Sequence, residues 1–266
     1  MLLREVEYAC PKSVAEAVRL LSGRDNARAL AGGQSLVNVM KVRVASPDMV
    51  VDLNRIAELR EIRAVDGALE LGAMTTYSSI IESADVRAAR PILAEVALTI
   101  ADTQVRNRGT IGGNLCSNDP TNHFPPLVAA MEAEMTIVGP DGERTVGADA
   151  FFEGVYMTAV SPGEVLTKVR IPARGTTRDG WAAMTLGRDG TGIVNVAACV
   201  TDGRARIAIG CVAATPVVVT AAADDTAVTE AVRGAGLDPP SDVHASAEYR
   251  RHLAEVLARR AVRDAS

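Results

Sequence analysis

Aromatic residues are scarce in this chain. Its 266 residues include three Phe, four Tyr and one Trp, so it offers no stacking platform for nucleic-acid bases. Lys and Arg number 28 against 33 Asp and Glu, a formal net charge of −5, and this balance supplies no basic footprint for a nucleic-acid partner. Cysteine occurs only at positions 10, 116, 199 and 211, with no C-x-x-C pair and no Cys/His spacing of the zinc-ligand kind. A secreted disulfide framework and a structural zinc site are therefore not expected. Cys10, isolated near the start of the chain, argues against an iron–sulfur cluster, which needs thiolates brought together. No apolar run approaches the ~18 residues of a membrane span; the stretch from Val217 is broken at Thr220 and stops at Asp224. Met1-Leu2-Leu3-Arg4-Glu5 meets charge too early for a secretory signal, so the expected location is the cytoplasm.

The usual nucleotide and hydrolase signatures are missing as well. There is no G-x-G-x-x-G and no P-loop. Gly33-Gln34-Ser35-Leu36-Val37 starts like a nucleophile elbow, but Val37 stands where the second glycine belongs. His244 and His252 read as surface residues, leaving His123 as the one imidazole near any candidate site.

What is present is a mixed α and β chain in three parts. In residues 1–56, Ser13 and Glu16 form a capping box, Val14, Val18 and Leu21 share a helical face, and Gly23 stops the helix. Residues 27–31 and 49–53 read as strands, the first running into Gly32-Gly33 and then a helical turn from Gln34 or Ser35. In residues 57–173, strands are expected at 68–73 and 164–171, helices at 75–83, 92–100 and 127–133, and a hairpin at 134–146 around Pro140-Asp141-Gly142. The polar stretch 174–180 reads as a linker. In residues 180–266, a hairpin over 193–212 turns at Asp202-Gly203, and helices are expected at 226–233 and 246–262.

Chemistry is suggested by two glycine pairs, Ala31-Gly32-Gly33-Gln34-Ser35-Leu36 and Thr110-Ile111-Gly112-Gly113-Asn114-Leu115. Glycine lets consecutive amides turn toward one point and lets an anion approach the backbone closely. If each pair opens a helix, the dipole adds modest attraction. Two such bends could hold the halves of a diphosphate, or each could be a tight turn and nothing more. Arg106 and Arg108 could neutralise phosphate or be ordinary surface charges, and the Asp119 carboxylate could accept a ligand hydroxyl or start a turn at Pro120. No pair of carboxylates presents itself as an acid/base couple. Binding motifs without a side-chain catalyst suit a protein whose cofactor performs the reaction.

These motifs resemble a known family. With Arg108-Gly109 before the second glycine pair, and with Leu71-Gly72-Ala73-Met74-Thr75-Thr76, Pro162-Gly163-Glu164-Val165-Leu166, Ile171-Pro172 and Ser246-Ala247-Glu248-Tyr249-Arg250-Arg251, the chain is similar over its whole length to the FAD-binding medium subunits of molybdenum hydroxylases. That group includes the carbon monoxide, nicotine and xanthine dehydrogenase types. The resemblance implies an α+β architecture: a two-subdomain, vanillyl-alcohol-oxidase-like FAD-binding fold, then a small C-terminal antiparallel sheet with helices. It also implies a cofactor-binding set. Ala29, Leu30, Ala31, Gly32, Gly33, Gln34, Ser35 and Leu36 wrap the diphosphate from one side; Thr110, Gly112, Gly113 and Asn114 lie on the other. Ile100 and Ala101 pack against FAD, Asp119 and His123 stand near its hydroxyls, and Leu166 lies near the isoalloxazine.

Two departures stand out. The family usually has an acidic residue where His123 stands, and Leu186-Gly187-Arg188-Asp189-Gly190-Thr191-Gly192 matches its usual basic and Asp-containing stretch only loosely. The implied partners are a small [2Fe–2S] subunit and a large molybdenum-cofactor subunit, assembled as a dimer of heterotrimers. No catalytic side chain and no metal are expected in this chain, and the alternative reading is a self-sufficient flavin oxidase or reductase on a related fold.

Overall fold

The computed structural model describes residues 3–187 and 190–265. Arg188 and Asp189, in the loosely matching stretch before residue 193, lie outside the described residues.

The first part comprises β1 (Glu7–Ala9), α1 (Val14–Ser22), β2 (Ala27–Leu30), α2 (Leu36–Lys41) and β3 (Met49–Asp52). Its sheet is parallel in the order β1-β3-β2, with Leu30 opposite Asp52, so the loops after β2 and β3 leave the same end. The capping box forms with one change: Ser13 Oγ accepts from the Glu16 amide, but Glu16 reaches back to the Lys12 amide at 3.1 Å and not to Ser13. Ala17, Val18 and Leu21 of α1 bury against Met49 and Val51, as the 3.6-residue period demands.

The second part holds β4 (Ile62–Val65), β5 (Ala68–Gly72), α3 (Tyr77–Glu82), α4 (Ala84–Ala89), α5 (Ile92–Leu98), α6 (Thr103–Arg108), α7 (Ile111–Ser117), α8 (Phe124–Ala130), β6 (Glu134–Gly139), β7 (Gly142–Gly147), α9 (Ala148–Phe151), β8 (Phe152–Gly154), β9 (Met157–Thr158) and β10 (Val165–Ile171). β10 crosses to the middle of an antiparallel sheet, β4-β5-β10-β6-β7, and α5, α7 and α8 contribute buried residues to the core with it. Two short helices, α6 and α7, occupy the segment around 104–113 for which the sequence suggested no element. Each begins at a polar cap, Asp102 to the Val105 amide and Thr110 to the Gly113 amide.

The third part is an antiparallel sheet, β11 (Arg178–Leu186), β12 (Thr191–Thr201), β13 (Arg204–Gly210) and β14 (Val217–Ala222), with α10 (Asp225–Gly234) and α11 (Ala247–Asp264) packed on it. β12 is buried on both faces. Val194, Val196 and Ala198 belong to the core that includes Leu253, Leu257 and Ala261 of α11, whereas Ala197 and Cys199 join the core of the second part. That double burial explains why its sequence is a continuous apolar run rather than an alternation. β11 begins inside the polar stretch expected as a linker. The strand opens with Arg178 and Asp179, and Trp181 packs against the core of the second part while Ala182 joins that of the third, so no one-sided alternation shows in the sequence.

Candidate functional site

The Gly32–Gly33 bend leaves β2 at the end of the parallel sheet where Asp52 also stands. Each carbonyl of the bend is tethered. Ala31 O accepts from Asn54 Nδ2 at 3.0 Å and Gly32 O from Gln34 Nε2 at 3.0 Å. Gly33 O accepts from the Val37 amide at 3.3 Å, and Gln34 O from Asn38 Nδ2 at 2.7 Å. The amides tell the opposite story. Among the described residues, those of Gly32, Gly33, Gln34 and Ser35 donate to no protein acceptor. Gly33 has φ +75°, the left-handed region that glycine alone enters without strain. A run of free amides with its carbonyls tied away is a nest for an anion.

The second bend lies directly against the first. A Cβ added to Gly32 would come 2.0 Å from Arg108 O, and one added to Gly113 would come 3.3 Å from Ala31 Cβ. Its amides, however, are already used: Ile111 donates to Thr75 O, Gly112 to Ala73 O at 2.9 Å, Gly113 to Thr110 Oγ1 and Asn114 to Thr110 O. This corrects the expectation that both bends offer backbone amides. Gly112 and Gly113 serve close approach instead, since a Cβ on Gly112 would lie 2.6 Å from Ala73 O. The helices that follow the bends, α2 and α7, have six and seven residues, too short for a dipole to contribute much. What the first bend has to offer an anion is its free amides, not a helix end.

Side chains complete the second wall. Asn114 Nδ2 donates to the buried Tyr77 hydroxyl at 2.8 Å, while Asn114 Oδ1 is buried with no partner. Thr75 Oγ1 is likewise buried and unpartnered. Tyr77 stacks on Phe124 with ring centroids 5.7 Å apart, and burial drives its phenol well above the usual range, so it stays a neutral hydroxyl. Such orphaned polar atoms beside an amide nest fit a polar ligand with a diphosphate. The residues present therefore suit FAD.

The remaining expected residues fall in other surroundings. Ala29 is exposed in β2, and Leu30, Ala31 and Leu36 are half-buried beside the nest. Ile100 and Ala101 form a separate bend with Ala101 at φ +42°, held by Arg106 Nη1 donating to Ile100 O at 2.9 Å and Ala101 O at 2.8 Å. Arg106 is thus engaged with backbone carbonyls. Asp119 accepts from the Thr121 amide and hydroxyl and from the Tyr156 hydroxyl. Leu166 is buried in β10, next to Thr167, whose carbonyl takes the Ala73 amide.

His123 lies in the joint between the second and third parts, 3% exposed, with its ring edge-on to Trp181. Asn195 Nδ2 donates to His123 Nδ1 at 3.0 Å, which leaves the proton on Nε2. Asn195 also donates to Asn122 O, and Asn122 in turn donates to Asn114 O at 3.1 Å, linking this joint to the second bend. Burial lowers the His123 pKa to about 4, partly offset by the Gly190 carbonyl. The unfolded chain then binds the proton first. Stability held above the ordinary histidine pKa is lost as pH falls from about 6.5 toward 4, by roughly 3 kcal/mol. Thermal melts at pH 7 and pH 4.5 should show a smaller acid-induced drop in His123→Gln than in the parent chain; equal drops would contradict it.

Asn54, Tyr77 and Arg106 were not expected in these roles from the sequence. For Asn54 a signal existed. Asp52-Leu53-Asn54 after a strand is an Asx-turn pattern, and Asp52 Oδ1 does take the Asn54 amide at 2.9 Å.

Comparison with known proteins agrees with this reading. Residues 4–174 match the family described as FAD binding domain in molybdopterin dehydrogenase, and residues 188–265 match the CO dehydrogenase flavoprotein C-terminal domain. The carbon monoxide dehydrogenase medium chain of Hydrogenophaga pseudoflava is 49% identical over 71% of this chain and 66% of that one. The chain of the same name from Afipia carboxidovorans is 41% identical over 98% of this chain and 97% of that one. A chain in the crystal structure of the Cu,Mo-CO dehydrogenase, cyanide-inactivated form, superposes with a TM-score of 0.94 at 38% identity, covering 100% of this chain and 99% of that one. With FAD-binding and flavoprotein C-terminal regions both matched, the chain belongs to the FAD-binding medium subunits of the molybdenum-dependent dehydrogenases, an oxidoreductase family.

Proposed function

We propose that the nest at Gly32, Gly33, Gln34 and Ser35 receives the diphosphate of FAD, and that this chain carries electrons between a [2Fe–2S] subunit and a terminal acceptor. The observation that carries the reading is the pairing of tethered carbonyls with free amides in one bend, pressed against a second bend rich in polar side chains. Flavin exchanges electrons singly or in pairs, which suits it to join one-electron clusters to a two-electron acceptor. The chain's own residues bind and orient. Ala29 to Leu36 form one side of the cradle, and Thr110, Gly112, Gly113 and Asn114 the other. Asn114 Oδ1 and Thr75 Oγ1 have hydrogen-bonding capacity left for the ligand.

Ile100, Ala101, Asp119 and Leu166 complete the set. His123, neutral and sequestered, acts through Asn195 and Asn122 on the position of Asn114. The proposed division is 1–56 and 57–173 for the two FAD-binding subdomains and 180–266 for the C-terminal domain. The proposed partners are a small [2Fe–2S] chain and a large chain with the molybdenum cofactor, in a cytoplasmic dimer of heterotrimers. No helix of the described residues is long and apolar enough to cross a membrane.

Reconstitution tests this. The chain stripped of ligand and mixed with FAD should become yellow and retain about one FAD per chain after desalting. A chain that stays colourless contradicts the proposal.

A further inference from the structure

Among the described residues, one of the four carbonyl tethers of the nest comes from outside it. The tethers on Gly32 O, Gly33 O and Gln34 O come from within residues 34–38, whereas Ala31 O is held by Asn54, from the loop after β3. Asn54 has no freedom to turn. Its Nδ2 also donates to Asp52 Oδ1 at 2.6 Å, and its Oδ1 accepts from Arg60 Nη2 at 2.8 Å. An acceptor-only carboxylate on one end and a donor-only guanidinium on the other fix which way the carboxamide faces. Asp52 is fixed in turn by the Tyr8 hydroxyl, which donates to Oδ2 at 2.6 Å. Tyr8 stands in β1, Asp52 ends β3, and Ala31 follows β2, so this chain of bonds spans the whole parallel sheet.

We infer that Asn54, locked by Asp52, Tyr8 and Arg60, is the positioning residue that keeps the amides of Gly32 to Ser35 turned toward the FAD diphosphate; this rests on the function proposed above. Asn54 touches no ligand in this role. It acts by restraining Ala31 O, so that the bend does not have to be ordered when the anion arrives, and preorganisation of that kind shows as affinity. Charge-assisted bonds to Asp52 and Arg60 are stronger than neutral ones, which makes Asn54 a firm anchor. Because the restraint bears on the diphosphate bend alone, its loss should weaken ligands that carry a diphosphate and spare those that do not.

The test compares FAD, ADP and riboflavin binding to the full chain, measured by flavin fluorescence and by calorimetry, in the parent, Asn54→Ala and Tyr8→Phe forms. Asn54→Ala is expected to weaken both FAD and ADP about tenfold or more, to leave riboflavin unchanged, and to melt without ligand within a few degrees of the parent. Tyr8→Phe, at a position 60% exposed, should fold regardless and weaken FAD and ADP by a few-fold. FAD and ADP binding as in the parent in both variants would overturn the inference, as would equal weakening of all three ligands. A parent chain that binds no FAD would instead remove the proposed function, and this inference with it.

Discussion

Replacing Gly32 by alanine is expected to lower FAD affinity by at least about a hundredfold, or ~2.7 kcal/mol, although it adds one methyl group. The added Cβ would sit 2.0 Å from Arg108 O, 2.7 Å from its carbonyl carbon and 2.9 Å from the Gly109 Cα. All of these are backbone atoms, so no rotamer change can relieve the clash. The two bends must separate, and forced overpacking of this kind costs about 1–3 kcal/mol of stability in addition. Gly33→Ala should act through another cause. Its backbone sits at φ +75°, where an L side chain costs roughly 1–2 kcal/mol. Gly234→Ala provides the control, because a Cβ there meets nothing within 4 Å. Flavin-fluorescence titration with thermal melts separates these cases. An alanine at position 32 that binds FAD like the parent would mean that the bends are not in contact.

The second large effect concerns stability. Arg90 follows α4 and Asp179 lies in β11, and their charged groups meet at 3.1 Å between Nε and Oδ2, each side chain 4% exposed. Arg90 Nη2 also donates to Cys199 Sγ in β12, whose thiol faces Asp179 Oδ1. This buried pair joins the FAD-binding region to the C-terminal sheet. Removing Asp179 strands the buried Arg90. Removing Arg90 leaves the Asp179 carboxylate, among the described residues, only the half-buried Arg174 guanidinium as an ion-pair partner, 4.0 Å away. Either change is a loss of about 3–5 kcal/mol. At this chain length each kcal/mol moves the midpoint by about 2–4 °C, so Arg90→Ala should melt roughly 10 °C lower. Calorimetry of Arg90→Ala, Asp179→Leu and the volume-conserving double variant Arg90→Met/Asp179→Leu checks it. The apolar double replacement should recover much of the loss, since a well-packed substitute for a buried ion pair is often neutral or stabilising. A single variant within about 2 °C of the parent would contradict the pair's burial.

How far the sequence disclosed this depends on the kind of signal. Periodicity and caps act locally, so α1 with its Ser13 cap, the hairpin β6 to β7 and the long helix α11 were legible. Short elements whose stability comes from packing were not. α6 and α7 sit in a glycine- and arginine-rich stretch with no apolar period of its own. β11 looks like linker because it opens with Arg178-Asp179, of which the Asp179 side chain is buried through its tertiary pairing with Arg90. The glycine pairs marked a place where two backbones meet. Their sequences are nearly alike, yet one bend leaves its amides free and the other spends them on Ala73, Thr75 and Thr110. That difference is set by what lies opposite each bend in space. Asn54 and His123 illustrate the same limit, since the Arg60, Asn195 and Trp181 groups that fix their roles are brought to them by tertiary contact.

Backbone amide chemical shifts of the isotopically labelled chain, followed by NMR as FAD is added, test the central claim most directly. The resonances of Gly32, Gly33, Gln34 and Ser35 should move strongly downfield as they donate to phosphate oxygens, while those of Ile111 to Asn114, already bonded within the chain, should move far less. Large downfield shifts at the second bend with none at the first would contradict the account.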